Sequence, residues 1–536
     1  MNLRGKPNIF TIAPGAPFLT TLAEHLLDGT LVPGFKVGSD PLALAKATIY
    51  VPTRRAARAL RSEFARLSGV SAAILPAIRP LGEFDEDFDF SGCSLDLAPP
   101  IGREERLIQL AVLVRKWSQA LPDAARELFG SDPMVLPATS ADAIWLARNL
   151  ADLMDEAERE GGDWTMLKEL VPAELASWWQ LTLGFMQIVT EHWPQHLSEK
   201  GLSDPVTHRN SLIRAEAKRL AEQGSDGPMI AAGSTGSMPA TAELLKVIAR
   251  LPNGALVLPG LDLTLDPSSW DAVGRAVQNP SVFGHSQYGM RNLLDFCQAT
   301  RDDVVELGNP GESVAKRNSA MSLALLPADE TGAWAGLSGK ISGFKNVCEI
   351  TAPSETSEAL AIAVALREAV EFGHTPAALV TADRTLARRV SAELERFGII
   401  ADDSGGTPLD QTPPAALFSL MLGLAFDTPD PASLLSLLQH PLTSLGRDRK
   451  SARRGAEVID LQFLRGEVLP LQPDAILALL RSPNKQTVKN GRDWKWSHRF
   501  EPHEIETAAE LSLALGGALE PLRTLQSSEL VSVAEA

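Results

Sequence analysis

The segment NIFTIAPGAPFL, residues 8–19, contains the first structural unit that the sequence predicts. An apolar run over residues 8–13 ends in a Pro-Gly turn, and apolar spacing over residues 19–27 then predicts a helix. A short apolar run, a glycine turn and a helix form the strand–loop–helix unit of parallel sheets. We therefore predict an α/β fold around this segment.

Three further units follow the same pattern. The run TIYV, residues 48–51, is followed by Pro-Thr and a helix over residues 54–67. The run at residues 229–232 ends in Gly-Ser-Thr before a helix at residues 241–250, and ALVL, residues 255–258, ends in Pro-Gly. Together they predict four parallel strands with helices packed against them.

The segment between the second and third units is predicted to be a helical insertion. Residues 101–220 contain apolar residues at the i, i+3, i+4, i+7 spacing of a buried helix face. These are Leu107, Leu110, Ala111, Val114, Ile144, Ala147, Leu150, Ala151 and Met154. Residues 265–345 are rich in Pro, Gly, Ser and Asp, and we expect loops with short helices there.

A second α/β block is predicted from about Val347. It comprises a helix at residues 357–372, a strand AALVT at residues 377–381, a helix at residues 386–397 and a short strand at residues 398–401. Beyond residue 413 the pattern is mainly helical.

The charge, the cysteines and the apolar runs of the chain indicate its partners and compartment. The chain has 536 residues, of which 50 are Lys or Arg and 67 are Asp or Glu, a net charge of −17. Local basic stripes can still bind nucleic acid in an acidic chain. Cys93, Cys297 and Cys348 have no metal-ligand or disulfide spacing, which favours a reducing cytoplasm. No signal peptide and no apolar run of about 20 residues is found, so no membrane span is expected.

The glycine turn lacks the residues of a phosphate-binding loop. Such a loop needs a Lys for the outer phosphates and a Ser or Thr for Mg²⁺. Here Gly15 is present, but Phe18 and Leu19 stand at those positions, and Pro17 has no N–H to donate. The turn is either a degenerate phosphate loop or an ordinary strand–turn–helix.

A basic helix follows the second strand. Thr53 and the first-turn amides would lie at a helix N-terminus, which suits phosphate. Arg54, Arg58 and Arg61 share one helical face, and Arg55 lies beside them. These residues are either a contact for a nucleic-acid backbone or a solvated basic face.

The order of elements resembles that of superfamily-one helicases, in which two RecA-like lobes each carry a helical insertion. This resemblance implies an α/β fold of two RecA-like, P-loop-type lobes with large helical insertions and a degenerate ATP site. The first lobe is expected at residues 1–100 and, with a loop-rich segment, again at 221–345, on either side of its helical insertion at 101–220. The second lobe is expected to start at 346–440, followed by its own helical insertion at 441–536.

The resemblance implies that the segment around Thr53 contacts single-stranded DNA. It also implies that residues are missing from two further parts of the ATP site. The third strand ends in AAGSTGS, residues 231–237, without the expected Asp-Glu pair, and Asp262 follows the next strand and receives no catalytic role. Ala382 stands where the second lobe would place an Arg on the γ-phosphate.

Several stretches are similar to the alphaproteobacterial-type AddB family, one subunit of the AddAB helicase–nuclease. They are IAPGAPFLTTLAEHL, IYVPTRRAARALRSEF, ILPAIRPLGEFDED, AAGSTGSMPATAELLKVIARLPNGALVLPGLD, LVTADRTLARRV, HSQYGMRNLL and LLQHPLTSLG. The family resects double-strand breaks for recombination. The resemblance implies a non-motor subunit that grips or scans single-stranded DNA beside an AddA-like partner.

The family's nuclease domain has no counterpart among these residues. Its Mg²⁺ ligands and the cysteines of its iron–sulfur cluster are not found, so the chain is expected to be the portion that precedes the nuclease. We assign no catalytic, metal or cofactor residue to this chain.

Two basic clusters are further candidates for DNA contact. Lys489, Arg492, Trp494 and Trp496 lie in a stretch that mixes cations with aromatics, which suits phosphates and bases. The tryptophans could equally anchor a loop to the core. The cluster of Arg447, Arg449, Lys450, Arg453 and Arg454 is better explained as a solvated surface.

Two other functional classes fit the sequence less well. An active ATP-dependent helicase is opposed by the missing Lys, hydroxyl, Asp-Glu pair and Arg. An α/β metabolic enzyme would need a catalytic constellation, and none converges in the sequence.

Overall fold

The computed structural model describes residues 6–35, 42–68, 74–81, 97–120, 139–164, 166, 182, 184–275, 278–337, 341–373, 376–426, 430–464, 473–481 and 500–524. The chain divides into two compact units, Met1–Cys348 and Glu349–Ala536.

The first unit contains a parallel six-stranded sheet. The strands are β1 Ile9–Ile12, β2 Thr48–Val51, β3 Ala77–Pro80, β4 Met229–Ala232, β5 Gly254–Pro259 and β6 Val304–Leu307. Their order in the sheet is β3-β2-β4-β5-β1-β6, and every described pair is parallel. Ile9 is paired with Leu256 on one side and with Val304 on the other. The prediction of an α/β fold with a parallel sheet is confirmed.

The helices of the first unit connect and flank these strands. They are α1 Phe18–Leu27, α2 Arg54–Ser68, α3 Arg103–Ala120, α4 Ser140–Glu160, α5 Trp193–Lys200, α6 Pro205–Gln223, α7 Pro239–Arg250, α8 Pro267–Val273, α9 Tyr288–Cys297 and α10 Glu312–Ala324. Shorter 3₁₀ turns lie at Leu44–Lys46, Pro280–Gly284, Arg301–Asp303 and Ala328–Gly336, and Ile188–His192 is π-helical.

Alternating side chains of the strands enter two cores, one on each face of the sheet. Phe10 and Ile12 pack with buried residues of α1 and α2 in one core. Ile9 and Tyr50 pack with α6, α7 and α9 in the other. The central strands are therefore covered on both sides, as a parallel sheet requires.

The helical insertion has a core of its own. Leu110, Val114, Ala147 and Leu150 are buried together between α3 and α4, and Trp193 joins them from α5. The 3.6-residue spacing of the sequence predicts these faces. The last helix of the segment, α6, packs instead on the sheet, because its apolar face meets the strands.

The prediction of an irregular region was wrong. Residues 265–345 contain strand β6 and the ten- and thirteen-residue helices α9 and α10. β6 is an edge strand in which only Val304 and Leu307 are buried, so it lacks the continuous apolar run of the central strands. β3 lies at the opposite edge and was also missed.

The regular elements described in the second unit are all helical. Its helices are α11 Glu355–Gly373, α12 Arg384–Arg396, α13 Pro413–Phe426, α14 Pro431–Gln439, α15 Arg449–Ile459, α16 Pro473–Arg481 and α17 Pro502–Thr524, with a 3₁₀ turn at Leu409–Gln411 and a π-helical turn at Asp460–Leu464. The helices from α13 onward share one core, and α11 and α12 share a smaller one.

The two strands predicted in the second unit are not formed. Residues 377–381 and 399–401 form neither strand nor helix. Leu379 and Ile399 pack against α11 and α12, while the adjacent Val380 and Ile400 are 93% and 91% exposed. No described segment of this unit pairs with either backbone.

Candidate nucleic-acid interface

The loops that follow the strands of the first unit meet at one end of the sheet, which we call the carboxyl end. The chain leaves β1 and β2 for helices on one face, and it leaves β4 for α7 on the other face. Ligands of parallel α/β proteins bind where connections diverge in this way. The candidate residues that the sequence predicts in this unit are all found there.

The glycine turn after β1 is filled by side chains of the protein itself. Gly15 has φ of +89°, and a β-carbon at this position would overlap the side chain of Val314 on α10. Asn318, one turn later on α10, donates a hydrogen bond from Nδ2 to the Pro14 carbonyl at 2.8 Å. Gly15 thus permits the close approach of α10, which accounts for it as an ordinary turn glycine.

The first turn of α1 is apolar. Pro17 is its N-cap and offers no side-chain cap, and Phe18 and Leu19 pack against the core of that face. A β-carbon built on Gly233, after β4, would lie 3.6 Å from Cε1 of Phe18. Phe18 therefore lies between the loops, at the position where a phosphate loop would present its Lys.

The loops after β4 and β5 use their polar groups internally. Ser234 Oγ accepts a hydrogen bond from the Gly236 amide at 3.3 Å. Asp262 Oδ1 accepts from the amides of Thr264 at 2.8 Å and Leu265 at 2.9 Å, which closes a turn. The carboxylate that follows β5 is thus engaged in local structure.

Helix α2 presents its basic residues to solvent. Thr53, Arg54, Arg55 and Arg58 are all exposed. Thr53 Oγ1 accepts from the Ala56 amide at 3.1 Å and so caps the helix, while its own hydroxyl proton can still be donated outward. The start of α2 therefore combines three cations with the positive end of a helix dipole.

Arg61, on the same helix, contacts the edge of the sheet. Its Nη2 donates to the Ile78 carbonyl of β3 at 3.2 Å, which ties α2 to the edge of the sheet. Helical spacing places Arg61 with Arg54 and Arg58 on one face.

A buried polar network fixes the strand that leads to this helix. Tyr50, on β2, donates from its hydroxyl to Glu216 Oε1 at 3.0 Å, and both residues are buried. Arg219 donates to the same carboxylate at 2.7 and 2.8 Å. Burial raises the pKa of Tyr50, and the negative charge of Glu216 raises it further. No local pattern signals this contact, because the partners are 166 positions apart.

In the second unit, Ala382 stands at the position expected for a phosphate-binding Arg, and the residue after it caps α12. Ala382 is exposed, and Asp383 caps α12 by accepting from the amides of Thr385 and Leu386. Arg384 donates to both carboxylate oxygens of Asp403 at 2.9 and 2.8 Å. This ion pair holds the DDSGGTP loop against α12.

The remaining basic clusters fall into two groups. In the α15 cluster, Arg447 is paired with Glu510 and Arg454 with Glu457 and Glu504, so these two residues join helices of the second unit. Arg449, Lys450 and Arg453 are exposed. Lys489, Arg492, Trp494 and Trp496 lie outside the described residues.

The described residues offer neither a metal cluster nor a membrane span. Within the described ranges, His, Cys, Asp and Glu do not gather in groups of three that could hold a metal ion. No helix in the described part of the chain is long and apolar enough to cross a membrane. Neither the protein-family models nor the curated proteins give a match to this chain.

Proposed function

We propose that this chain is a non-motor, DNA-binding subunit of a helicase–nuclease that grips or scans single-stranded DNA. The observation that carries the proposal is the exposed start of α2, where Thr53, Arg54, Arg55 and Arg58 lie at the carboxyl end of a parallel sheet. A helix N-terminus with flanking arginines is suited to the phosphates of a nucleic-acid backbone.

The filled glycine turn supports a role without ATP hydrolysis. Val314 and Asn318 occupy and bond the turn, and Phe18 stands at the Lys position. A triphosphate there would lack the Lys and the hydroxyl with which a phosphate loop neutralises its charge and holds Mg²⁺. An ATP-driven motor would require the Lys, the hydroxyl and the Asp-Glu pair that are missing here.

The resemblance of several stretches to AddB supplies the biological setting of the proposal. In that setting the chain acts in the cytoplasm on double-strand breaks, bound to an AddA-like subunit that provides the motor. No nuclease step is assigned to this chain.

The test measures the binding of a labelled 20-nucleotide oligothymidine to the full chain. Binding is monitored by fluorescence anisotropy over a range of salt concentrations. The double variant Arg54→Ala/Arg55→Ala removes two cations. For single strands, the slope of log K against log salt should become shallower by about 1.4, or about 0.7 per lost phosphate contact. Addition of ATP and Mg²⁺ should leave binding unchanged.

Arg66→Ala is the matched control, because Arg66 lies on the same helix and is paired with Glu63 at 2.8 Å. It is twelve residues from Arg54, about 18 Å along the helix axis. Its substitution should leave the slope as in the natural chain. Nucleotide-stimulated unwinding by the purified chain, or equal effects of the double variant and the control, would refute the proposal.

A further inference from the structure

A second segment crosses the carboxyl end of the sheet, between β5 and α9. The Gln287 side chain accepts from the Asp262 amide at 2.9 Å and donates to the Gly260 carbonyl at 3.2 Å. A β-carbon on Gly289 would lie 3.4 Å from Cβ of Thr235. Residues 285–289 therefore lie against the loops that follow β4 and β5.

This segment is held rigidly. His285 donates from Nε2 to the Leu325 carbonyl at 2.6 Å, and its Nδ1 accepts from the Gln287 amide at 3.1 Å. Just before it, the 3₁₀ turn Pro280–Gly284 is capped by Asn279, and Val282 is buried beneath the turn. The backbone that carries the side chain of Phe283 is thus fixed on both sides.

That side chain is an exposed aromatic ring. Phe283 is 61% exposed, and its ring centroid lies 5.1 Å from that of Tyr288 in an edge-to-face arrangement. Tyr288 is half-buried and packs against the core beneath it. Phe283 is therefore an apolar ring presented to solvent on a supporting ring and a fixed turn.

Contacts through the loop after β4 connect this segment with the start of α2. A β-carbon on Gly233 would lie 3.4 Å from Cδ of Pro52, which precedes Thr53 and Arg54. The next contact, between Thr235 and Gly289, leads to Tyr288 and Phe283. In the sheet, β4 lies between β2 and β5. Neighbouring strands are about 4.8 Å apart, so the ends of β2 and β5 are separated by about two strand spacings.

The charge of this surface selects its ligand. The whole chain carries a net charge of −17, yet exposed cations gather at the start of α2. Cations and an exposed aromatic ring at the same end of a sheet match the alternating phosphates and bases of a single strand. An apolar peptide would make use of the ring but not of the arginines.

We propose that Phe283, supported by Tyr288, is a stacking platform for a base of single-stranded nucleic acid whose backbone contacts Arg54 and Arg55. The platform rests on the proposed function and adds to it a base-contacting subsite. Stacking is tolerant of sequence because every base has a π-face.

The test compares two 20-nucleotide ligands on the full chain, labelled oligothymidine and an otherwise identical strand of abasic sites. Phe283→Ala should weaken oligothymidine binding by about 5- to 150-fold, the effect of losing one base-stacking ring. Its salt slope should be unchanged, since no phosphate contact is lost. Affinity for the abasic strand should stay as in the natural chain, and Phe283→Tyr should retain binding of both ligands.

Phe296→Ala is the matched control. Phe296 is also exposed, at 42%, but it lies near the last residue of α9, where Arg250 at the end of α7 donates to the Cys297 carbonyl at 2.8 Å. This is the opposite end of the sheet, so oligothymidine binding should not change.

The outcomes separate the two proposals. If the arginine variant weakens binding while Phe283→Ala does not, the platform is wrong and the proposed function stands. If Phe283→Ala weakens both ligands equally, the residue acts on structure and the platform is refuted. If the natural chain binds neither ligand, the proposed function fails, and the platform fails with it.

Discussion

The contact between Gly15 and α10 can be tested by adding a single carbon atom. Gly15→Ala places a β-carbon on a backbone with φ of +89°, where it overlaps Val314. The left-handed conformation costs a non-glycine residue about 1–2 kcal/mol. Forcing an extra carbon into a packed contact adds about 1–3 kcal/mol. We expect a total loss of about 2–5 kcal/mol in local stability.

Gly34→Ala separates these two contributions. Gly34 has the same φ of +89°, and no heavy atom of the described residues lies within 4 Å of a β-carbon built there. Its substitution should therefore cost only the conformational part, about 1–2 kcal/mol. Adding Val314→Ala to Gly15→Ala should recover the steric part, so the two substitutions should be non-additive by about 1–3 kcal/mol.

The measurement is native-state hydrogen exchange of the β1 amides in the full chain, followed by mass spectrometry. Local exchange is preferred because a chain of two units need not unfold in a single transition. Equal losses for Gly15→Ala and Gly34→Ala, or strict additivity with Val314→Ala, would show that α10 does not fill the glycine turn.

Three further predictions concern other regions of the chain. Burial raises the pKa of Cys297 to about 11, so in the native protein its thiol should be alkylated far more slowly than that of the exposed Cys348; equal rates in mass mapping would contradict this. Hydrogen bonds from Ser269 and Ser268 lower the pKa of Asp266 to about 2, so its stabilising effect is full above its ordinary value of about 3.9 and is lost as the pH falls from there to about 2. Protection of the α8 amides, relative to their intrinsic exchange rates, should fall over that range, and an Asp266→Asn variant whose protection falls equally would exclude this cause. In the second unit, Leu379→Ser should lower the local stability of α12 by about 1–2 kcal/mol in native-state hydrogen exchange, whereas the matched Val380→Ser should be neutral.

The central strands could be predicted because their signal is local. β2 and β4 were located at their observed bounds, since each is a buried apolar run ended by Pro or Gly. The insertion faces containing Leu110 and Ala147 followed from helical spacing. β3 and β6 were missed because edge strands are covered less completely and their sequences resemble loops.

The candidate site was predictable only to a limited extent. Residue types placed Arg54, Arg55 and Arg58 at the start of a helix, and their exposure agrees with that placement. The same spacing could not separate Arg61, whose partner is a carbonyl on a strand 17 positions later. The predicted strands near Val380 failed because a strand also requires a paired neighbour, which local pattern does not supply.

By itself, the sequence determined the central strands β2 and β4 and the chemistry absent from the glycine turn, because both depend on residues close together in the chain. Tertiary structure alone decided what fills that turn, as Val314 and Asn318 lie about 300 positions away from Gly15. It also brought Phe283 to the carboxyl end of the sheet, beside the loops after β4 and β5. Contacts of this kind depend on how crossover connections pack against the sheet, and no periodicity in the sequence encodes them.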